Sequence, residues 1–358
     1  MSTPPAHSRL PAVSRRDVPP LQTAAYALLA ATAAWFLLRE LAPVLRPLLI
    51  AVILAYVLLP YHSRLRTWVS APVSIALLAG VSAGVLIGLG FAVSASVMGL
   101  NEELPGLQAR AVGLAHGAEA WVADRVPRVF AGSRDRKQAE ERIAAQVAQV
   151  VRPVINAAAD ALLEACIIGL YLVFLLMEAS RFPARVRKAY SPDRADEILH
   201  LAGQVNAAIV SYLKAKVKAS LLLAVPVGLV LWAFDVKFAL LWAVLTFLCN
   251  FIPYVGSVVA YSLPVGFAFL QLDLDWRPVA VAALVLGCHL GSASLVEPLI
   301  LGKAVGLSPL MILGSLAFWG LLWGVSGMFL AVPLTVVAVI VMGHFASSRP
   351  VARLVSEG

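Results

Sequence analysis

Long apolar segments joined by short polar loops run along most of the chain. Several have about the length of a membrane-spanning helix: residues 21–38, 44–59, 73–97, 161–177, 207–233 and 279–298. Two longer apolar runs, 238–271 and 310–343, lie on either side of the last of these segments. Because about 20 apolar residues cross a hydrocarbon core as a helix, the pattern predicts an all-α polytopic membrane protein with about six transmembrane helices.

The first longer run is interrupted at its centre. As one helix, residues 238–271 would be roughly 50 Å long, well beyond a hydrocarbon core of about 30 Å. Pro253 removes a backbone donor and Gly256 allows a bend, so the helix is expected to break close to Asn250. Lipid cannot satisfy the freed backbone groups, so such a break persists only inside protein or beside a polar cavity. A kinked packing helix is the alternative.

The second longer run contains a similar break at residues 323–327, about as far along as the first. Each run divides into two legs that are too short to need to cross the membrane. The order is therefore helix, hairpin, helix, hairpin, with the second pair upside down. We predict two re-entrant helical hairpins in an inverted repeat, an arrangement in which transporters place a site near the bilayer midplane.

Basic residues group in loops that share one side of the membrane. They are Arg9, Arg15, Arg16, Arg64, Arg66, Arg181, Arg185, Arg187, Lys188, Arg194, Lys214, Lys216 and Lys218. Since cytoplasmic loops carry the excess of Lys and Arg, both termini are predicted to be cytoplasmic. The three lysines 214, 216 and 218 are interpreted as an anchor of this kind.

Two threadings fit the last third of the chain. If 238–271 crosses the membrane once, Asp273 and Asp275 face the cytoplasm and Lys303 faces outward. If it is a re-entrant hairpin, the two aspartates stay outside and Lys303 is cytoplasmic. The length of the run favours the hairpin.

The pattern divides the chain into six regions. They are a disordered cytoplasmic arm (1–20), scaffold helices (21–97), an extramembrane amphipathic insertion (98–160), a helix with a cytoplasmic linker (161–206), a transport region (207–345) and a cytoplasmic tail (346–358). The charge argument places the insertion on the extracytoplasmic side of the membrane.

Composition supports a membrane protein and excludes several other classes. The chain has 358 residues, of which 61% are hydrophobic and 13% charged, with a formal net charge of +8. Its three cysteines all lie in apolar segments, which fits buried packing residues. There is no Gly-rich phosphate loop followed by Lys and no paired metal-ligand motif, so we expect no enzyme activity, no cofactor and no metal.

The candidate substrate-binding residues lie at the two breaks and at one carboxylate. They are Asn250, Pro253, Tyr254, Gly256, Ser257, Glu297, Pro298, Gly324, Ser326 and Gly327. Glu297 ends an apolar segment, where a carboxylate must be paired, hydrated or protonated. It can bind a cation, carry a proton or simply be solvated. Lys303 can pair with it, but extension of Lys303 to the membrane interface is favoured. Asn250 can contact a polar ligand or cap freed backbone groups.

Three stretches in this region carry a family resemblance. NFIPYVGSVVAYSLP (250–264), VEPLILGKAVGLSPL (296–310) and LLWGVSGMFLAVPL (321–334) resemble the autoinducer-2 exporter family, whose members are also described as predicted permeases. One departure concerns residues 289–294, which are His-Leu-Gly-Ser-Ala-Ser where family members often carry a Gln-rich stretch. A hydroxyl-lined surface is expected there instead.

The resemblance implies export of a small polar solute, such as an autoinducer-2-like signal or a metabolite, across the bacterial inner membrane. The predicted hairpins suit an elevator-type movement, in which they and their helices carry the solute past a fixed scaffold. A fixed scaffold implies oligomerisation, and the resemblance supports a homo-oligomer, such as a homopentamer. The alternatives are a Na⁺(Li⁺)/H⁺ antiporter, with a cation or proton as coupling ion, and a membrane scaffold that transports nothing. The lipid bilayer is the expected partner, and nucleic acid is not.

Overall fold

The computed structural model describes residues 20–125, 136–179, 181–273, 275–301, 307–345 and 349–350. In these ranges the regular secondary structure is helical and no strand is present. The chain is therefore an all-α protein, as predicted. The arm and the tail lie largely outside the described residues.

The first helix forms a unit of its own. Contacts divide the chain into residues 1–43 and residues 44–358. Helix α1 is Pro20–Glu40, and it covers the first predicted span.

Helices α2, α3 and α4 follow in the second unit. They are Ala42–Leu65, Ala71–Arg125 and Arg136–Ala179. Helix α3 has 55 residues and α4 has 44, which correspond to lengths of about 80 Å and 65 Å. Both helices run without interruption from their apolar segments into the predicted insertion, and they pack against each other. The polar insertion is therefore built largely by extensions of two membrane-length helices.

A short helix α5, Phe182–Ala189, leads into α6, Pro192–Ala233. With 42 residues, α6 is roughly 60 Å long. Its second half is apolar, and its first half is polar and continues the helix beyond the apolar part. The helices that follow in the chain pack against α6 itself or against helices that contact α6.

The first predicted hairpin folds as α7, Ala239–Cys249, and α8, Val255–Gln271. The ring of Trp242, near the start of α7, lies 5.3 Å from the ring of Phe267, near the end of α8. The two legs therefore run antiparallel and meet at residues 250–254. We call residues 239–271 hairpin 1.

Helix α9, Trp276–Gly291, continues through the π-helical turn Ser292–Val296 into α10, Glu297–Leu301. Asp275 caps α9 by accepting a hydrogen bond from the backbone N–H of Arg277 at 2.8 Å. That bond is the main reason why the pKa of the Asp275 carboxyl lies below its usual value.

Helix α11, Pro309–His344, contains the second predicted break. Gly324 has φ 65° and ψ −141°, which ends one helical leg and starts another. A Cβ atom on Gly327 would lie 1.9 Å from the carbonyl oxygen of Trp319. In a straight helix these residues would be about 12 Å apart along the axis, so the chain folds back here. We call residues 309–344 hairpin 2.

Among the described residues, four helices are long and apolar enough to cross a membrane. They are Ala42–His62, Pro192–Ala233, Trp276–Ile300 and Pro309–His344, with a fifth if the bent pair Glu164–Ala179 and Phe182–Ala189 forms one span. By length and composition, these helices are candidate membrane spans. Six spans, and the depth of each hairpin in the membrane, stay predictions.

Candidate functional site

A polar stripe lies along the buried face of α6. Tyr212, Lys216 and Ser220 are four residues apart, so they project from one side of the helix, and all three are buried. The neighbouring Lys214 and Lys218 are exposed. The three lysines therefore differ in role, and the interpretation of Lys216 as a surface anchor is wrong.

Lys216 forms an ion pair with Glu297. Its Nζ lies 2.8 Å from the Glu297 Oε1. The Lys216 side chain is 5% exposed and the Glu297 side chain 36% exposed. The ion pair therefore has one buried member and one partly exposed member. Charged groups among membrane helices normally require such a partner. Lys303, the partner considered from the sequence, lies outside the described residues.

The π-helical turn positions Glu297 at the start of α10. In this turn the backbone N–H of Glu297 bonds to the carbonyl oxygen of Ser292, five residues earlier. A π turn holds more residues than an α-helical turn and so changes the direction of the side chains that follow it. Such turns occur often at functional sites. The Ser292–Val296 segment overlaps, at residues 292–294, the stretch where the chain departs from the family pattern.

Asn250 joins the tip of hairpin 1 to the same stripe. Its side chain is buried, and Nδ2 donates a hydrogen bond to the Ser220 Oγ at 3.0 Å. Ser220 is one helical turn from Lys216, about 6 Å along the axis. Asn250 and Glu297, two residues singled out from the sequence, therefore contact adjacent turns of α6.

Three buried hydroxyl groups on the same elements have no hydrogen-bond partner among the described residues. They belong to Tyr212, Thr246 and Ser292. Tyr212 is one turn before Lys216, Thr246 is one turn before Asn250, and Ser292 lies in the π turn that leads to Glu297. Buried polar atoms are nearly always paired with protein or water, so each of these hydroxyls is free to bond to a water molecule or to a polar solute beside it.

The tips of the two hairpins are in contact. The rings of Phe251 and Phe329 stack with 4.9 Å between their centroids. Ile252 packs in one apolar cluster with Leu316 and Ala331 of hairpin 2. The two sequence breaks are thus brought together, with apolar residues at the contact itself.

The tip glycines allow backbone segments to approach each other closely. A Cβ atom on Gly256 would lie 1.7 Å from the carbonyl oxygen of Cys249, and Gly327 has the equivalent relationship with Trp319. Gly324 supplies the positive φ angle of the second tip. Close backbone packing and the positive φ angle therefore explain glycine at these three positions without any contact to a solute.

The other candidates from the sequence lie around the tips at varied depths. Tyr254, Ser257 and Pro298 are exposed, whereas Pro253 and Ser326 are half-buried. Tyr254 has φ 62° and ψ −64°, a conformation that costs a non-glycine residue energy and is found preferentially at functional sites. Binding of a solute by these residues stays a prediction.

Sequence reasoning missed five buried polar residues of α6, α7 and the π turn: Tyr212, Lys216, Ser220, Thr246 and Ser292. The i, i+4, i+8 spacing of the first three is a signal that the sequence contains. The spacing of Lys214, Lys216 and Lys218 also puts Lys216 on the opposite side of the helix from the other two, so the three cannot share one environment. Thr246 and Ser292 have no comparable signal. In the described part of the chain, no group of three or more His, Cys, Asp or Glu residues is arranged to hold a metal ion.

Residues 25–347 match the family model described as AI-2E family transporter. The chain belongs to the AI-2E transporter family. With its several apolar helices of membrane length, this AI-2E protein is a multi-pass membrane protein of a transporter family. The resemblance inferred from the three sequence stretches is confirmed.

Individual relatives of this AI-2E protein occur in Escherichia coli strain K12. The AI-2 transport protein TqsA is 32% identical over 188 residues, which are 52% of this chain and 54% of TqsA. YhhT is 34% identical over 189 residues, 52% of this chain and 53% of YhhT. PerM is 28% identical over 312 residues, 81% of this chain and 84% of PerM. The chain thus spans about half the length of TqsA and YhhT in these matches.

Proposed function

We propose that this AI-2E family member is a secondary transporter that exports a small polar solute across the bacterial inner membrane. The observation that carries the proposal is the Lys216–Glu297 ion pair, buried at one end and accessible at the other. It lies among membrane helices, where a charge pair is costly unless it has a function or a strong structural role.

The chemistry of the cluster favours a neutral, hydrogen-bonding solute. One ammonium and one carboxylate neutralise each other, and the remaining groups are hydroxyls and one amide. Such a set can donate and accept hydrogen bonds without favouring either charge. TqsA is named as an AI-2 transport protein, so the AI-2 signal is the first solute to test.

An elevator-type mechanism is proposed for the movement. Hairpin 1 contributes Asn250, α10 contributes Glu297, and α6 carries the residues that both contact. A solute held among them would be released when the hairpin tips separate from each other or from α6. We infer that the protein acts as a homo-oligomer, in which a scaffold part of each subunit stays in place.

The test compares cells with and without the protein. Deletion should raise the intracellular level of one or a few polar metabolites, and the wild-type gene should reverse the change. Lys216→Met and Glu297→Gln should fail to reverse it, whereas Lys214→Met, which changes an exposed lysine two positions away, should succeed. Identical metabolite profiles in all strains would argue against export and leave a scaffold role.

Antiport is the second candidate, because a cation or proton at Glu297 would compete with Lys216 for the carboxylate. Inverted membrane vesicles energised to acidify their interior should then lose protons on addition of Na⁺ or Li⁺. Glu297→Gln should abolish that response. A response that is equal in wild-type and Glu297→Gln vesicles would remove this carboxylate from any coupling mechanism.

A further inference from the structure

Helix α3 contacts both ends of hairpin 1 through polar side chains. Lys237, just before α7, forms an ion pair with Glu103 of α3. Arg110, two turns further along α3, donates hydrogen bonds to the backbone carbonyl oxygens of Leu270 and Gln271 at the end of α8. We call residues 97–110 the α3 contact segment, and residues 235–238 with 270–272 the hairpin base.

The Gln271 side chain closes the hairpin base. Its Nε2 donates a hydrogen bond to the carbonyl oxygen of Asp235 at 2.8 Å, and its Oε1 accepts one from the backbone N–H of Lys237 at 2.6 Å. One amide therefore ties the end of the second leg to the loop before the first. Asp235 and Phe238 in that loop have φ angles of 55° and 60°, which persist only where surrounding contacts hold them.

An apolar contact lies directly beneath the polar one. Val97, Leu100 and Leu107 of α3 share one buried cluster with Trp242 and Phe267 of hairpin 1. The fit is tight, since a Cβ atom on Gly99 would lie 2.9 Å from the Phe238 ring. Relative sliding of α3 and the hairpin base would disrupt both layers of contact.

The tip of hairpin 1 is held differently. It contacts α6 through the hydrogen bond from Asn250 to Ser220, and it contacts hairpin 2 through ring stacking and a small apolar cluster. Tyr254 at the tip is more than half exposed. The base is thus held by an ion pair, several hydrogen bonds and the large apolar cluster, whereas the tip is held by one side-chain hydrogen bond, one ring stack and a smaller cluster.

We propose that the α3 contact segment anchors the hairpin base, with Glu103, Arg110 and Gln271 as positioning residues, and that the tip is the part of hairpin 1 that moves relative to α3. The proposal rests on the proposed transport function and deepens it. In an elevator-type movement, the α3 contact segment then moves together with hairpin 1. The moving part therefore includes residues of α3, and the stationary scaffold does not end at residue 97, where the sequence pattern placed its boundary. Because α3 and α4 pack against each other, a movement of this helix pair would also move hairpin 1.

Native cysteines provide the test. Cys249 is the last residue of α7 and reports on the tip, whereas Cys288 belongs to α9, outside hairpin 1, and packs against the apolar cluster that α3 shares with the hairpin. Each is kept as the single cysteine in an otherwise cysteine-free full-length protein. The rate of alkylation by N-ethylmaleimide is measured in membranes, and the melting temperature is measured on the purified protein.

We expect Glu103→Gln, Lys237→Met and Gln271→Leu each to raise the alkylation rate of Cys249 at least threefold without changing that of Cys288. The charge-reversed pair Glu103→Lys with Lys237→Glu should restore the wild-type rate. Glu102→Gln is the matched control, because Glu102 lines the same cavity of about 430 Å³ as Glu103 and Lys237 but makes no ion pair among the described residues.

Three results would overturn the proposal. They are an unchanged Cys249 rate in all single variants, an equal rise at Cys249 and Cys288, or a charge-reversed pair that behaves like the single variants. The first means that the base does not position the tip, and the second means general loosening of the fold. Labelling needs no solute, so these outcomes are independent of whether export itself is observed.

Discussion

Lys216 and Glu297 are 81 positions apart in the chain, and their charged atoms are 2.8 Å apart in the structure. One belongs to the helix that organises the transport region, and the other begins the helix after the π turn. The pair holds these two elements together at the level where Asn250 of hairpin 1 also contacts α6. Breaking the ion pair would therefore change how α10, and with it the neighbouring tip of hairpin 1, is held against α6.

Replacing Lys216 with Met should destabilise the protein. Losing one partner of a fully buried ion pair costs about 3–5 kcal/mol, and the partial exposure of Glu297 should reduce this to about 1–3 kcal/mol. Chemical denaturation in detergent, followed by tryptophan fluorescence, measures the change.

The double variant Lys216→Met with Glu297→Gln removes both charges and should recover part of that loss. Lys214→Met, at an exposed position, should stay within about 0.5 kcal/mol of wild type. If Lys214→Met were as destabilising as Lys216→Met, the pairing with Glu297 would not explain the effect.

Gly256→Ala and Gly327→Ala should each destabilise the fold strongly, by about 3 kcal/mol or more, because the added methyl group would overlap a backbone carbonyl that cannot move aside easily. The matched controls are Gly266→Ala in α8 and Gly314→Ala in hairpin 2, where a new Cβ meets no atom within 4 Å. The controls should be neutral or slightly stabilising, since Ala is the better helix former. Equal melting temperatures for both classes would refute the tight approach at the tips.

Much of the fold is predictable from the sequence because apolar run length and Pro or Gly breaks are local signals. They located the first hairpin to within a residue or two at each end, and the break at Gly324. The continuation of α3 as one helix to Arg125, and the start of α4 as early as Arg136, were not predictable in this way. A rise in polarity marks where a helix leaves the apolar region, and it does not mark where the helix ends.

The candidate site was predictable only in part. Asn250 and Glu297 stand out because a polar residue in an apolar run is visible in the sequence. Their partners Ser220 and Lys216 do not stand out in the sequence. A lysine near the start of an apolar segment usually marks the cytoplasmic side of the membrane. Which lysine is buried depends on how α6 is rotated about its axis, and tertiary packing sets that rotation.

The Asn250–Ser220 hydrogen bond should show measurable coupling. Ser220→Ala leaves a buried amide without its acceptor, which costs about 1–3 kcal/mol. Asn250→Ala should cost a similar amount, and the double variant should cost less than the sum of the two by about 0.5–1.5 kcal/mol. Unfolding of all four proteins under one set of conditions gives this coupling. Strictly additive effects would mean that the two side chains act independently.

Asp273 distinguishes the two threadings of the last third of the chain. Trp242 and Phe267 pair across the legs of hairpin 1, so both ends of the hairpin lie close together, and Asp273 follows directly after the second leg. If the hairpin is re-entrant from outside, a cysteine at position 273 in a cysteine-free background should react with a membrane-impermeant maleimide in intact spheroplasts. A cysteine at Arg187, in the predicted cytoplasmic linker, should react only after the membrane is permeabilised. The opposite pattern at position 273 would place the base of hairpin 1 in the cytoplasm and contradict entry of the hairpin from the outer side.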